Sequence, residues 1–130
     1  MDVETFTPAG SPEPIGAYSH IAKAGPFITI GGLGGIDPAT GEIAGPDVAS
    51  QTQRILQSFD EMLKTVDSGL ERVLHIHVFL KNMADFPEMN AAFAEAMGTH
   101  RPARTVIAAK ELPKPQFRVL MNLTAVSAGA

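Results

Sequence analysis

Arg104 is the residue whose type and setting point most directly to chemistry. It stands in Arg101-Pro-Ala-Arg-Thr-Val-Ile-Ala-Ala-Lys-Glu-Leu-Pro113, after a Pro-Ala turn and before Thr105, Val106 and Ile107, which read as a buried strand. A fixed positive charge at the mouth of an apolar strand is too costly to stand alone. It is therefore either paired with an acid of the protein or set to receive an anion. A planar guanidinium grips a carboxylate with two parallel hydrogen bonds, which favours that class of anion.

Four other features could carry chemistry. Tyr18, the only tyrosine, lies at a loop-to-strand junction, Ile15-Gly-Ala-Tyr-Ser-His20, where its hydroxyl can meet a ligand or backbone. Asn90 follows Met89 at the edge of an apolar helix stripe, where an amide needs partners, either a loop carbonyl or a ligand. Gly31-Gly-Leu-Gly-Gly35 lacks the spacing of a dinucleotide fingerprint and has no Gly-Lys-Ser/Thr for a phosphate loop. It reads as a bulge or strand exit, with close backbone approach to a ligand as the functional alternative. His75 and His77 are two apart on one strand face, but no third ligand stands nearby. Buried, hydrogen-bonded histidines are expected there, and no metal site. No Ser–His–acid set is apparent.

The elements that must position these residues follow from periodicity. Residues 1–14 hold three prolines and read as an extended lead-in. Tyr18–Lys23 is a candidate first strand, turned by Ala24-Gly-Pro26 into Phe27-Ile-Thr-Ile30, and Asp37-Pro-Ala-Thr-Gly41 is a tight turn. Val48, Thr52, Ile55, Phe59, Met62 and Val66 make one helical stripe, started by Pro46-Asp47 and stopped by Ser68-Gly69. Gln51, Gln53, Arg54, Gln57, Asp60, Glu61 and Lys64 are assigned to its polar remainder. Arg72–Lys81 alternates, with Leu74, Ile76, Val78 and Leu80 on one face and Val73, His75, His77 and Phe79 on the other, as in a central strand. A second helix opens at Asp85 with Glu88 as its capping-box partner, buries Phe86, Met89, Phe93 and Met97, and closes at Gly98. Strands at Thr105–Ala109 and Phe117–Val126 complete the order ββ-α-β-α-ββ. The expected fold class is α+β, a mixed sheet with both helices on one face. Its other face is too apolar for water, which predicts a homo-oligomer with clefts between subunits.

Composition bounds the function. The 130 residues suit one domain, with a core that needs no staples. There is no cysteine, which excludes disulfides and thiolate chemistry. There is also no apolar run long enough to span a membrane. The start, Met1-Asp-Val-Glu-Thr, lacks the plan of a signal peptide, so a cytoplasmic protein without membrane partners is expected. A net charge of −4, with basic residues densest only at Arg101, Arg104, Lys110, Lys114 and Arg118, argues against nucleic acid as a partner.

In register, several blocks resemble one family. They are the run from Pro12 to Ser19 containing Gly-Ala-Tyr-Ser, Ile28-Thr-Ile-Gly31, and Asp37-Pro-Ala-Thr-Gly-Glu42. Val78-Phe-Leu-Lys-Asn-Met83 follows with Asp85-Phe86 and Asn90, then Arg101-Pro-Ala-Arg-Thr105 and Leu112-Pro113. Across residues 12–127 the chain is similar to the reactive intermediate deaminase (Rid, or YjgF-type) family. The resemblance implies a chorismate-mutase-like fold forming a homotrimer around a central barrel, with three clefts between subunits. It implies cofactor-free and metal-free hydrolysis of enamines and imines, such as 2-imino acids, to 2-oxo acids and ammonia. Arg104 matches the arginine that holds the substrate carboxylate, Tyr18 the cleft tyrosine, and Asn90 the asparagine lining it, with backbone near Gly31 and Ala103 completing the pocket. One departure stands out. Across a one-residue insertion at Pro115-Gln116, the family's water-positioning glutamate falls on Leu120, and a frequent serine falls on Ile30. An aliphatic side chain cannot orient water, so a weakened or redirected deaminase is expected. The alternatives are a non-catalytic binder of small carboxylates and, third, a ribonuclease or translation inhibitor.

Overall fold

In the computed structural model, which describes residues 1–129, six strands form one mixed sheet with both helices packed on the same face. The strands are β1 (Glu4–Phe6), β2 (Ile21–Ala24), β3 (Phe27–Gly34), β4 (Val73–Leu80), β5 (Ala103–Ala108) and β6 (Val119–Val126). The helices are α1 (Val48–Lys64) and α2 (Phe86–Met97). Strand order is β1-β2-β3-β6-β4-β5, antiparallel throughout except for the parallel pair β4–β5. The crossovers β3–α1–β4 and β4–α2–β5 step across the sheet in the same direction. Right-handed crossovers of that kind put both helices on one side, as expected. No helix among the described residues is long and apolar enough to cross a membrane.

The lead-in is more ordered than the sequence suggests. Glu4–Phe6 pairs with β2, Phe6 standing opposite Ile21 and packing against the core. Three residues carry no legible alternation; the open edge of β2 supplies the template. Tyr18, Ser19 and His20, expected in the first strand, remain in the loop before β2. The glycine cluster does form a bulge, since the β3–β6 register shifts between Ile30 and Leu33. At its end Gly35 runs against α1, and a Cβ there would lie 2.8 Å from the Cα of Gln51.

Helix α1 buries the expected Val48, Thr52, Ile55, Phe59 and Met62, and Leu56 and Leu63 widen the arc. It ends at Lys64, before Val66, which packs against the core from outside the helix. One assignment is overturned: Gln51, placed on the polar side by its type, is fully buried. Its amide donates to the carbonyls of Gly45 (3.0 Å) and Gln116 (3.1 Å) and accepts from the Arg118 N–H (2.8 Å).

Asp47 caps α1 through the Ser50 N–H at 2.9 Å. This bond and the Ser50 hydroxyl hold its carboxyl below the usual range. A carboxyl with a depressed folded pKa adds stability above its unfolded value of about 3.9, and that stability is lost as pH falls through the folded value. Asp47→Ala should therefore cost about 1 kcal/mol at neutral pH. Melting curves of the two proteins should converge as the pH is lowered into the carboxylate range.

In β4 the observed faces differ from strict alternation. The register against β6 shifts between Val73 and His75, so Val73 joins Ile76, Val78 and Leu80 in the core and Leu74 is 47% exposed. A bulge inserts one residue and reverses the parity before it. The capping box at α2 is also absent. Asp85 has helical backbone angles (φ −80°, ψ −3°) because the 3-10 turn Met83–Asp85 runs directly into the helix. Its carboxylate instead grips Arg118, with bonds of 2.9 and 3.1 Å. Gly98 closes α2 at φ 64°, as its position predicts.

The sheet face away from the helices carries His75, His77 and Phe79 with Asn122 and Thr105. His77 Nδ1 meets Asn122 Oδ1 at 2.8 Å, His75 Nε2 meets Thr105 Oγ1 at 3.0 Å, and the two imidazoles stack at 4.4 Å. The histidines are hydrogen-bonded as expected, but only half-buried within the chain.

Candidate functional site

Arg104 lies on the edge strand β5 and is paired in register with Ile76, so its side chain leaves the sheet on the helix side. There α2 provides its bed. The guanidinium carbon stands 4.8 Å from the Phe93 ring centroid and 5.5 Å from that of Phe86. Residues 86 and 93 are seven apart and share one helix face, which is why both reach the same cation. Nη1 donates to Asn90 Oδ1 at 2.9 Å. No carboxylate among the described residues pairs with Arg104, which leaves the Nε–Nη2 edge open. Partial burial lowers the guanidinium's affinity for its proton, without removing the charge. The sequence left open a protein acid or an anion for this arginine, and the structure provides no acid. The surrounding groove is lined by Asn90, Phe93, Arg101, Pro102 and Arg104, with Ala103 exposed beside it.

Tyr18, Gly31 and Leu120 belong to a different cavity of about 380 Å³. Its apolar wall includes Ile15, Leu33, Ile36 and Phe117, and its polar groups include Glu13, Tyr18 and His20. The loop before β2 is held at three points. His20 Nε2 meets the Pro12 carbonyl at 2.6 Å, Tyr18 Oη accepts from the Ile15 N–H at 3.2 Å, and the Tyr18 N–H donates to Gly16 at 3.0 Å. Gly31 continues the clamp, its N–H donating to the His20 carbonyl at 3.0 Å. Leu120 projects over the bulge, where a Cβ on Gly32 would come within 3.1 Å of it. The register Leu120–Gly34 on one side and Leu120–Phe79 on the other fixes this placement.

The predicted residues thus form two half-sites. Arg104, Asn90 and Ala103 are together, as are Tyr18, Gly31 and Leu120. Arg104 aligns through Ile76 and Leu123 with Ile30, which puts β5 three strand spacings, about 14 Å, from β3. Within one chain the two clusters do not meet. Sequence reasoning missed the aromatic bed, because Phe86 and Phe93 read as ordinary core at helical spacing. It also missed Glu13 and His20, whose only signal was proximity to Tyr18.

Comparison with known proteins gives the family and the fold. The family model described as endoribonuclease L-PSP matches residues 9–127. A RutC family protein of Pyrococcus horikoshii is 38% identical over 124 residues, covering 95% of this chain and 96% of the relative. The 3-aminoacrylate deaminase RutC of Acinetobacter baylyi is 31% identical, covering 80% of this chain and 82% of that protein. Among solved structures, the YjgF gene product of E. coli superposes with a TM-score of 0.88 at 26% identity, covering 95% and 98% of the two chains.

Proposed function

The chain belongs to the endoribonuclease L-PSP family, the YjgF/RutC/Rid group, and on that premise we propose that it hydrolyses 2-imino acids and their enamine tautomers to 2-oxo acids and ammonia. The observation that carries this reading is the open Arg104 edge, a bidentate carboxylate receptor held by Asn90 and two rings and claimed by no acid of the described residues. The Acinetobacter relative, named a 3-aminoacrylate deaminase, supports it.

The two half-sites need a second subunit to meet. The helix-free sheet face offers one interface: Phe27, Leu74 and Ile107 are each about half exposed, at 50, 47 and 48%. In the proposed homotrimer, a barrel of three sheets sets the Arg104 groove of one subunit against the Tyr18 cavity of its neighbour. The substrate carboxylate docks on Arg104, and the reacting carbon lies toward Tyr18 and Gly31. An imine carbon is already electrophilic, so positioning supplies much of the acceleration. Ammonia release from freshly generated 2-imino acids, corrected for the reaction in water, tests the reading. A rate no greater than the water rate across small, aliphatic and aromatic side chains overturns it.

Leu120 favours a second reading, a carboxylate binder without turnover. That reading requires 2-oxo acid binding with no ammonia release. An RNA substrate is disfavoured by the net charge of −4 and the scattered basic residues.

The lining also sets a side-chain preference. Ile15, Leu33, Ile36, Phe117 and Leu120 give the Tyr18 cavity an apolar lining. Each buried methylene is worth about 0.8 kcal/mol. The imine derived from leucine should therefore exceed that from alanine by roughly tenfold in kcat/KM, allowing for incomplete burial. Competition between the two in one reaction gives the ratio directly.

A further inference from the structure

We propose that Glu13, which lines the same cavity as Leu120, is the carboxylate that handles the attacking water, taking the role vacated there. This rests on the imine-hydrolysis reading above. Among the described residues, Glu13 is the only acidic one lining the Tyr18 cavity, and Leu120 lines it too. Glu13 is exposed, and it makes no hydrogen bond or ion pair among the described residues, so its oxygens are available to a ligand or water.

Its backbone is restrained on both sides. Pro12 fixes its own φ, Pro14 pushes Glu13 toward extended angles, and the Pro12 carbonyl is anchored on the buried His20 ring at 2.6 Å. The bond from the Ile15 N–H to Tyr18 Oη at 3.2 Å holds the far end of the same loop. These clamps fix the backbone from which the Glu13 side chain reaches the cavity, where a general base has to stand within reach of the water it deprotonates. The other titratable groups of the cavity are Tyr18 and His20. His20 is 2% exposed, and its Nε2 is taken by the Pro12 carbonyl at 2.6 Å. Its part is to position the loop.

Water oxygen bonds to C2 of the protonated imine as the C=N π pair moves onto nitrogen, and Glu13 takes the proton that water releases. Glu13 then returns this proton to the nitrogen of the carbinolamine. The C–N bond breaks, the carbonyl forms, and the hydroxyl proton leaves with ammonia as ammonium. One iminium and one water give one 2-oxo acid and one ammonium ion, with no oxidant or cofactor.

The test compares wild type, Glu13→Gln and Glu13→Asp for ammonia release from the leucine-derived imine across a pH series. Binding of 4-methyl-2-oxopentanoate is measured in parallel by calorimetry. Removing a general base should lower kcat about 100-fold in Glu13→Gln. The acid limb of the profile should disappear in that variant, and 2-oxo acid affinity should stay within twofold. Glu13→Asp should keep the limb at reduced rate. A Glu13→Gln rate within threefold of wild type, or an unchanged acid limb, overturns the proposal while leaving the deaminase reading intact. Absence of acceleration by wild type overturns both.

Discussion

Arg104→Ala is expected to lower kcat/KM for 2-imino acids by roughly 100-fold, equivalent to about 2.7 kcal/mol, the scale of losing one partner of a desolvated charge pair. In the proposed reaction the carboxylate sits on Arg104 in both ground and transition states, so most of the loss should appear in KM. Binding of 2-oxo acids should weaken in parallel, which separates this residue from Glu13, where the loss is in kcat. Arg104→Lys keeps the charge but not the fork that Nε and Nη2 present, and should recover only part of the affinity. The fold should tolerate either change. Arg104 contributes only partly exposed cation–π contacts, each worth about 0.5–1 kcal/mol, so circular dichroism should be unchanged and Tm lowered by no more than a few degrees. Steady-state kinetics with calorimetry decides the matter. An unchanged KM would mean that the carboxylate binds elsewhere.

Gln51→Ala should be the most damaging single change at a polar position of the fold. The side chain is fully buried and makes three hydrogen bonds, to Gly45, Gln116 and Arg118. Truncation leaves two carbonyls and one N–H unpaired beside a new cavity. Each such group costs about 1–3 kcal/mol, less where water can enter, for a total of about 3 kcal/mol and a Tm lower by roughly 10 °C. The effect should reach the site, because Gln116 and Arg118 flank Phe117, which is 3% exposed and lines the Tyr18 cavity. Gln51→Glu should be worse, replacing a donor with an acceptor against two carbonyls. Thermal melts monitored by circular dichroism read the result, and a shift under about 3 °C would show that water replaces all three bonds.

Gln51 also marks the limit of local reading. Its type places it on the polar arc of α1, and only the return of residues 116–118 against that helix supplies the backbone partners that bury it. The same holds at three other places. Leu74 and Val73 exchange faces because of a bulge opposite β6. Asp85 abandons its cap for Arg118, 33 residues away. Glu4–Phe6 becomes a strand because β2 offers an open edge. In each case the deciding partner is distant in sequence, and no pattern within a helix or strand period encodes it.

What the sequence determined by itself is what short-range physics controls. Periods of 3.6 and 2 set the helices and most strands, glycine marked the bulge and the end of α2, and the charge of Arg104 demanded a partner, either an acid of the protein or an anion. Tertiary structure alone decided which groups share a cavity. It laid Arg104 on Phe86 and Phe93, brought Glu13 and Leu120 to one cavity, and kept the Arg104 and Tyr18 clusters apart within one chain. Side-chain chemistry belongs to the residue, whereas proximity is fixed by strand order and register, and these depend on pairings between segments far apart in the chain.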